Sequence, residues 1–145
     1  PVNGKFTEKQ RMVYEVVLAA NRAVAKTAKP GMTLRELNDV CKKVLAEGCI
    51  RMGLIEKEEE IGKYYMHGVS HHLGIDVHDV SVASNSKLRP GAVISDEPGL
   101  YIDEWEIGIR VEDDLLITED GCECLSEGVM RTQDEIEAFM AGAHK

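Results

Sequence analysis

The change of hydrophobic period near residue 63 constrains the fold of this chain more than any other feature. Before it, Thr7 followed by Gln10, and Thr33 followed by Glu36, are capping boxes that each open an apolar stripe of helical spacing. Met12, Val13, Val16, Val17, Ala20 and Val24 form the first stripe, which Pro30-Gly31 ends; Leu34, Leu37, Val40, Cys41, Val44 and Leu45 form the second, running to about Gly53. This predicts two antiparallel helices. From Lys63 onward glycine-punctuated, β-branched segments take over: Met66 to Asp79, Gly91 to Ser95, Gly99 to Ile102, Ile107 to Glu112 and Leu115 to Ile117. Arg89-Pro90-Gly91, Glu97-Pro98-Gly99 and Glu119-Asp120-Gly121 are turn signals at hairpin spacing. Thr132 with Glu135 caps a last short helix carrying Ile136 and Phe139, and Glu56 to Glu60 reads as a solvated connector. The pattern is α+β: two long helices, an antiparallel sheet and a short C-terminal helix. With 145 residues, 43% of them hydrophobic, it fits a single domain with a real core.

Charge and composition remove several function classes. A formal charge of −9, from 26 acidic and 17 basic residues, repels a phosphate backbone, so no nucleic acid is expected. No apolar run is long enough for a membrane span and no export leader is visible. Cys41, Cys49, Cys122 and Cys124 lack C-x-x-C spacing, which points to reduced thiols and a cytoplasmic location. Cys122-Glu-Cys124 fits a strand after a turn better than a thiolate site. The chain opens on Pro1-Val2-Asn3-Gly4 without an initiator Met, as a processed product or an excised piece would.

His67, His71, His72 and His78 fall within twelve residues, whereas His144 sits in the polar tail. Any one of the four would more readily be a histidine in a polar turn; the cluster favours a ligand role. His67 and His71 have the i, i+4 spacing of a helical zinc site, but Gly68 stands where that motif needs its glutamate, and Gly68, Val69 and Gly74 are poor helix formers. Presentation from a strand or loop follows. Glu97 precedes Pro98 and is biased to an extended backbone. Alternation in Ile107 to Glu112 puts Ile109 and Val111 on one face, Arg110 and Glu112 on the other. Alone, Arg110 and Glu112 would read as a surface ion pair. Carboxylates with a neutral imidazole also suit Mn, Co or Zn.

His67-Gly-Val-Ser-His71-His-Leu-Gly-Ile-Asp-Val-His78-Asp79, Glu97-Pro-Gly-Leu-Tyr-Ile and Gly108-Ile-Arg-Val-Glu112-Asp-Asp occur in that order. Together they resemble aminopeptidase P and prolidase, the proline-specific branch of the creatinase/aminopeptidase ("pita-bread") metallopeptidase family. Gly4-Lys-Phe-Thr-Glu-Lys-Gln and Arg131-Thr-Gln-Asp-Glu-Ile-Glu extend the likeness over nearly the whole chain. The resemblance implies the C-terminal part of the pita-bread fold, in which the antiparallel sheet is curved, with residues 1–145 one partial catalytic domain. It implies hydrolysis of Xaa-Pro bonds in proline-containing peptides, as an aminopeptidase or dipeptidase, by a water activated between two divalent ions, Mn first and Co or Zn as alternatives. His71 and Glu97 would hold one ion and Glu112 would bridge both. His67 and His78 would contact substrate and stabilise the oxyanion, Glu97 would shuttle a proton, and Arg110 would orient the ligands from outside.

The family site also uses two aspartates on paired strands upstream, and this chain starts just after the place of the second. Asp103 and Asp114 have suitable spacing, but they flank the Glu112 strand, so the match is coincidental. The portion alone is therefore expected to bind metal weakly or not at all, to be inactive, and to seek its N-terminal half or a second copy for its open sheet edges. His72, where the aminopeptidase relatives often carry an aromatic residue, is left off the metal. The alternative is a non-catalytic peptide- or protein-binding module of the same fold. Metal-free creatinase chemistry fits the His-Glu-Glu set less well, and methionine aminopeptidase fits Glu97-Pro-Gly-Leu-Tyr-Ile less well.

Overall fold

The structure, a computed structural model, describes residues 1–80 and 86–143; His144 lies outside them. Both expected long helices form. The Thr7 hydroxyl accepts from the Gln10 amide at 3.3 Å and the Gln10 side chain accepts from the Thr7 amide at 2.9 Å, opening α1 (Glu8–Thr27). Thr33 and Glu36 do the same for α2 (Leu34–Arg51), and Gly31, at φ +89°, makes the turn between the helices that a residue with a Cβ would strain. Val13, Val17, Val24, Leu37, Cys41 and Leu45 are fully buried, so the predicted stripes face inward, whereas Met12 is 43% exposed.

The helices run antiparallel and meet where Gly48 of α2 faces Val16 of α1. A Cβ on Gly48 would stand 2.2 Å from Val16 Cγ1. Two effects oppose each other in Gly48→Ala: the helix gains about 1 kcal/mol of propensity, and overpacking costs about 1–3 kcal/mol. The side chain struck is a stiff β-branched one, so packing should win, and urea denaturation should show a net loss of about 1 kcal/mol that Val16→Ala relieves.

Among the described residues five short strands follow: β1 (Val93–Asp96), β2 (Gly99–Ile102), β3 (Ile107–Arg110), β4 (Asp113–Ile117) and β5 (Cys122–Cys124). All pair antiparallel, but in two sheets: β4 lies between β1 and β5, and β2 pairs with β3. Glu97-Pro98 is therefore not a hairpin turn. It carries the chain from one sheet to the other, and Val111-Glu112 carries it back. The two ladders share one register. Asp96 opposite Asp113 ends the first and Gly99 opposite Arg110 begins the second, which leaves Glu97 opposite Glu112 and Pro98 opposite Val111. Pro98 has no N–H to give the ladder, so the pairing breaks there although the Pro98 carbonyl still accepts from Val111 N at 3.2 Å. The hairpin tip is a 3-10 turn over Asp103–Trp105, closed by Glu106 at φ 55°.

Met66 to Asp79 is not a strand. Residues 69 to 73 run beside β1, with Glu97 N donating to Val69 O, Ser95 N to His71 O and Leu73 N to Val93 O, yet only His72 and Ile94 form a bridge. Gly68 and Gly74 bracket this stretch and residues 74 to 78 are bends, so the β-branched content had no ladder to join. The acidic connector is solvated as expected, but a 3-10 turn over Glu58–Lys63 shapes it. Behind the sheets the core joins Ile94, Leu100, Ile102, Leu115 and Ile117 to the buried faces of α1 and α2. Burial of each such side chain contributes about 2 kcal/mol. Thr132 and Glu135 cap α3 (Gln133–Ala143), which docks on α1 through hydrogen bonds between Arg11 and Gln133 and leaves Phe139 58% exposed.

Candidate metal centre

The break in the ladder builds the site. Glu97 and Glu112 face each other from the two crossings between sheets, and the segment beside β1 brings His71 to Glu97. One ligand atom from each of His71, Glu97 and Glu112 lies within 4.8 Å of the others, the one such His/Cys/Asp/Glu group among the described residues. His71 Nε2 is 3.1 Å from Glu97 Oε1. Arg110 reaches both acids: Nε is 3.7 Å from Glu97 Oε2 and Nη2 is 3.3 Å from Glu112 Oε2. Ser95, two residues before Glu97 and so on the same strand face, accepts from His71 N at 2.9 Å and donates to Glu97 Oε1 at 3.3 Å.

These groups fit a divalent cation. His71 Nδ1 lies 3.1 Å from the His72 carbonyl, which only accepts, so Nδ1 carries the hydrogen and Nε2 presents its lone pair to a carboxylate oxygen. Two acceptors that close need a proton or a metal ion between them. Carboxylates directly opposite across an antiparallel pair also repel, and Arg110, itself half-exposed, is the cation the two share. One nitrogen and two oxygen donors make the mixed set that Mn, Co or Zn accepts.

The other predicted residues are placed differently. His78 is exposed and stacks on His71, ring centroids 4.1 Å apart. His67 is engaged elsewhere: Nδ1 is 2.8 Å from the Gly68 carbonyl, Nε2 is 2.9 Å from the Tyr101 hydroxyl, and Tyr65 packs on its ring at 4.8 Å. Nδ1 must donate to the carbonyl, and both ring nitrogens are therefore engaged within the protein. Sequence reasoning gave Ser95 and Tyr101 no role. Ser95 was findable from strand alternation; Tyr101 was not, because its partner lies across two sequence-distant segments.

Directly behind the facing glutamates stands a second pair of acids, also opposite each other in register. Asp113 adjoins Glu112 and is 6% exposed; Asp96 adjoins Glu97 and is fully buried. Arg131 Nε donates to both Asp113 oxygens, at 3.1 and 2.9 Å, its Nη2 also contacts Oδ1, and Ser126 Oγ donates to Oδ1 at 2.6 Å. Burial alone would raise the Asp113 carboxyl, but the hydrogen bonds from Arg131 and Ser126 outweigh it and hold it below the usual carboxylate range. Asp96 has no hydrogen-bond partner on either carboxylate oxygen among the described residues. Burial, and then the charge of Asp113, push it up to about 8.

Residues 2–119 match the family described as metallopeptidase family M24. The chain is 39% identical over 163 residues to an Xaa-Pro aminopeptidase of Escherichia coli strain K12, covering 100% of this chain and 37% of the relative. It is 32% identical over 193 residues to a mouse Xaa-Pro dipeptidase, covering 100% of this chain and 39% of that protein. Its structure superposes on zinc-substituted E. coli aminopeptidase P in complex with product with a TM-score of 0.93 at 38% identity, covering 100% of this chain and 37% of that one. On Pseudomonas aeruginosa aminopeptidase PepP the TM-score is 0.92 at 39% identity, covering 99% and 37%. The chain thus spans about a third of the length of the curated relatives it matches, 34–37% for the first of them.

Proposed function

The chain belongs to metallopeptidase family M24, and from that premise we propose that it forms part of a metal-dependent exopeptidase that hydrolyses Xaa-Pro bonds, as an aminopeptidase or a dipeptidase. The observation that carries this reading is the convergence of His71, Glu97 and Glu112 within 4.8 Å, where the ladder breaks and two glutamates face each other. In this reading His71 Nε2 and the carboxylates of Glu97 and Glu112 hold divalent metal, with manganese first and cobalt or zinc as alternatives. When bound, the metal supplies an activated water and polarises the scissile carbonyl.

The chain's own residues would do the rest. Arg110 spans both glutamates and keeps their oxygens turned toward each other. Ser95 restrains Glu97 Oε1, and Glu97 would take a proton from water and return it to the leaving amine. His78, exposed and stacked on His71, would reach a bound peptide and donate to its developing oxyanion. His67 can do so only by exchanging its Tyr101 bond. Three ligands carrying two negative charges make a weak site, so full metal loading needs carboxylates from the relatives' remaining length, and residues 1–145 are a partial catalytic domain. Upstream strands, or a second copy, would then cover the open sheet edges. The four free thiols support a cytoplasmic location; no helix among the described residues is long and apolar enough to cross a membrane.

The test is metal content and Xaa-Pro hydrolysis, with added manganese, for this chain and for a version extended upstream. Hydrolysis confined to the extended form, and abolished there by Glu112→Gln, is the expected result. No hydrolysis in either form would turn the reading toward a binding module, and strong hydrolysis by the short chain would show that its three ligands suffice.

A further inference from the structure

The facing glutamates are held from behind by residues far away in sequence. Asp113 begins β4 immediately after Glu112, and its side chain points the other way, into the core, where Arg131 and Ser126 bind it. Arg131 is itself fixed: Nη1 donates to the carbonyls of Glu127 at 2.9 Å and Val129 at 3.0 Å, and Nη2 donates to that of Ser126 at 2.5 Å. The arginine thus gathers the loop after β5 and clamps it to the root of the Glu112 crossing. On the opposite strand the Asn21 amide of α1 donates to the Asp96 carbonyl at 3.2 Å, one residue before Glu97. Arg110, by contrast, touches the glutamates from solvent and is half-exposed.

We propose that Arg131 is a positioning residue for the candidate metal ligand Glu112, acting through Asp113, and so sets the separation of Glu97 and Glu112. The inference rests on the metal-site reading above. The Glu112 side chain is 42% exposed and, among the described residues, pairs with Arg110 alone, so little else fixes its position. Asp113 opposite Asp96 is the last pair before the ladder breaks, and a planar guanidinium on both Asp113 oxygens fixes its direction as a lysine could not.

The experiment titrates manganese into the version extended upstream, where the ligand set is complete, and follows the free-ion signal by electron paramagnetic resonance, with no activity required. Arg131→Lys keeps the charge and removes the fork; Ser126→Ala removes one hydrogen bond to Asp113. Arg131→Met is avoided because it strands the Asp113 charge. Support from behind a ligand typically changes metal affinity by about ten- to a hundredfold, so Arg131→Lys should weaken manganese binding about tenfold and Ser126→Ala by less. Leu45→Ala, a core change remote from the site, supplies a control of similar thermal destabilisation whose affinity stays at the parent's value. Parent-like affinity in both test variants, or an equal loss in Leu45→Ala, overturns the assignment. A parent chain that takes up no manganese overturns the metal site itself, a separate outcome.

Discussion

Arg131→Met should lower the stability of this chain by about 3–5 kcal/mol at neutral pH, because it leaves a buried carboxylate without its counter-charge. The Asp113 side chain is 6% exposed and that of Arg131 17%, so water can do little to replace the lost partner. Asp113→Asn combined with Arg131→Met should recover most of the loss, since no buried charge then remains. Urea denaturation of the four chains in the cycle isolates the coupling. If Arg131→Met stays within about 1 kcal/mol of the parent, the pair behaves as an exposed ion pair and the clamp is not buried in solution. The acid limb gives a second readout. Asp113 is held below its unfolded value, so its contribution is present above the unfolded pKa and lost as pH falls through the folded one. Arg131→Met should therefore lose less stability on acidification than the parent.

Asp96 predicts the opposite slope. Its folded carboxyl is raised to about 8 by burial and by the charge of Asp113. A raised group stabilises fully below its unfolded pKa, about 3.9, and the contribution disappears as pH rises through the folded value. The parent should thus weaken between about pH 4 and pH 8 through this residue, by at most about 5 kcal/mol. Asp96→Asn removes the titration, and even after about 1–3 kcal/mol for an imperfectly bonded buried amide it should gain about 2 kcal/mol at pH 8 and little at pH 5. Thermal melts of both chains across that range decide it. Equal slopes would show that Asp96 finds a partner or water in solution.

Much of this architecture was legible in the chain because the signals were local. Thr7 with Gln10, Thr33 with Glu36 and Thr132 with Glu135 each encode a helix start within four residues, and α1, α2 and α3 begin there. Arg110 and Glu112 on one face, with Val111 on the other, followed from period-two alternation. What could not be read depended on partners distant in sequence. The segment from Met66 to Asp79 has strand composition, yet whether it forms a ladder depends on how closely it can follow β1. Glu97-Pro98-Gly99 has the composition of a turn, and only the shared register of the two ladders shows it to be a crossing. The histidines separated similarly: His71 is brought to Glu97 by β1, while His67 is held by Tyr101, thirty-four residues away. Asp113 and Arg131 lie in motifs of the family resemblance, but nothing in the sequence pairs them, because an acid on an alternating strand and an arginine before a capping residue are each ordinary alone.

The uninterrupted register of the long hairpin also says how this site tolerates sequence change. The residues between Ile102 and Ile107 close the tip beyond the last ladder pair, so insertions of any length there leave Glu97 opposite Glu112. A single residue added or removed between Pro98 and Ile102, or between Ile107 and Val111, would slide one strand against the other and turn one glutamate to the opposite face. In a chain with this hairpin, Glu-Pro-Gly and Arg-x-Glu are therefore two fixed words separated by a freely variable gap, and a search that fixes the gap length would miss true homologues.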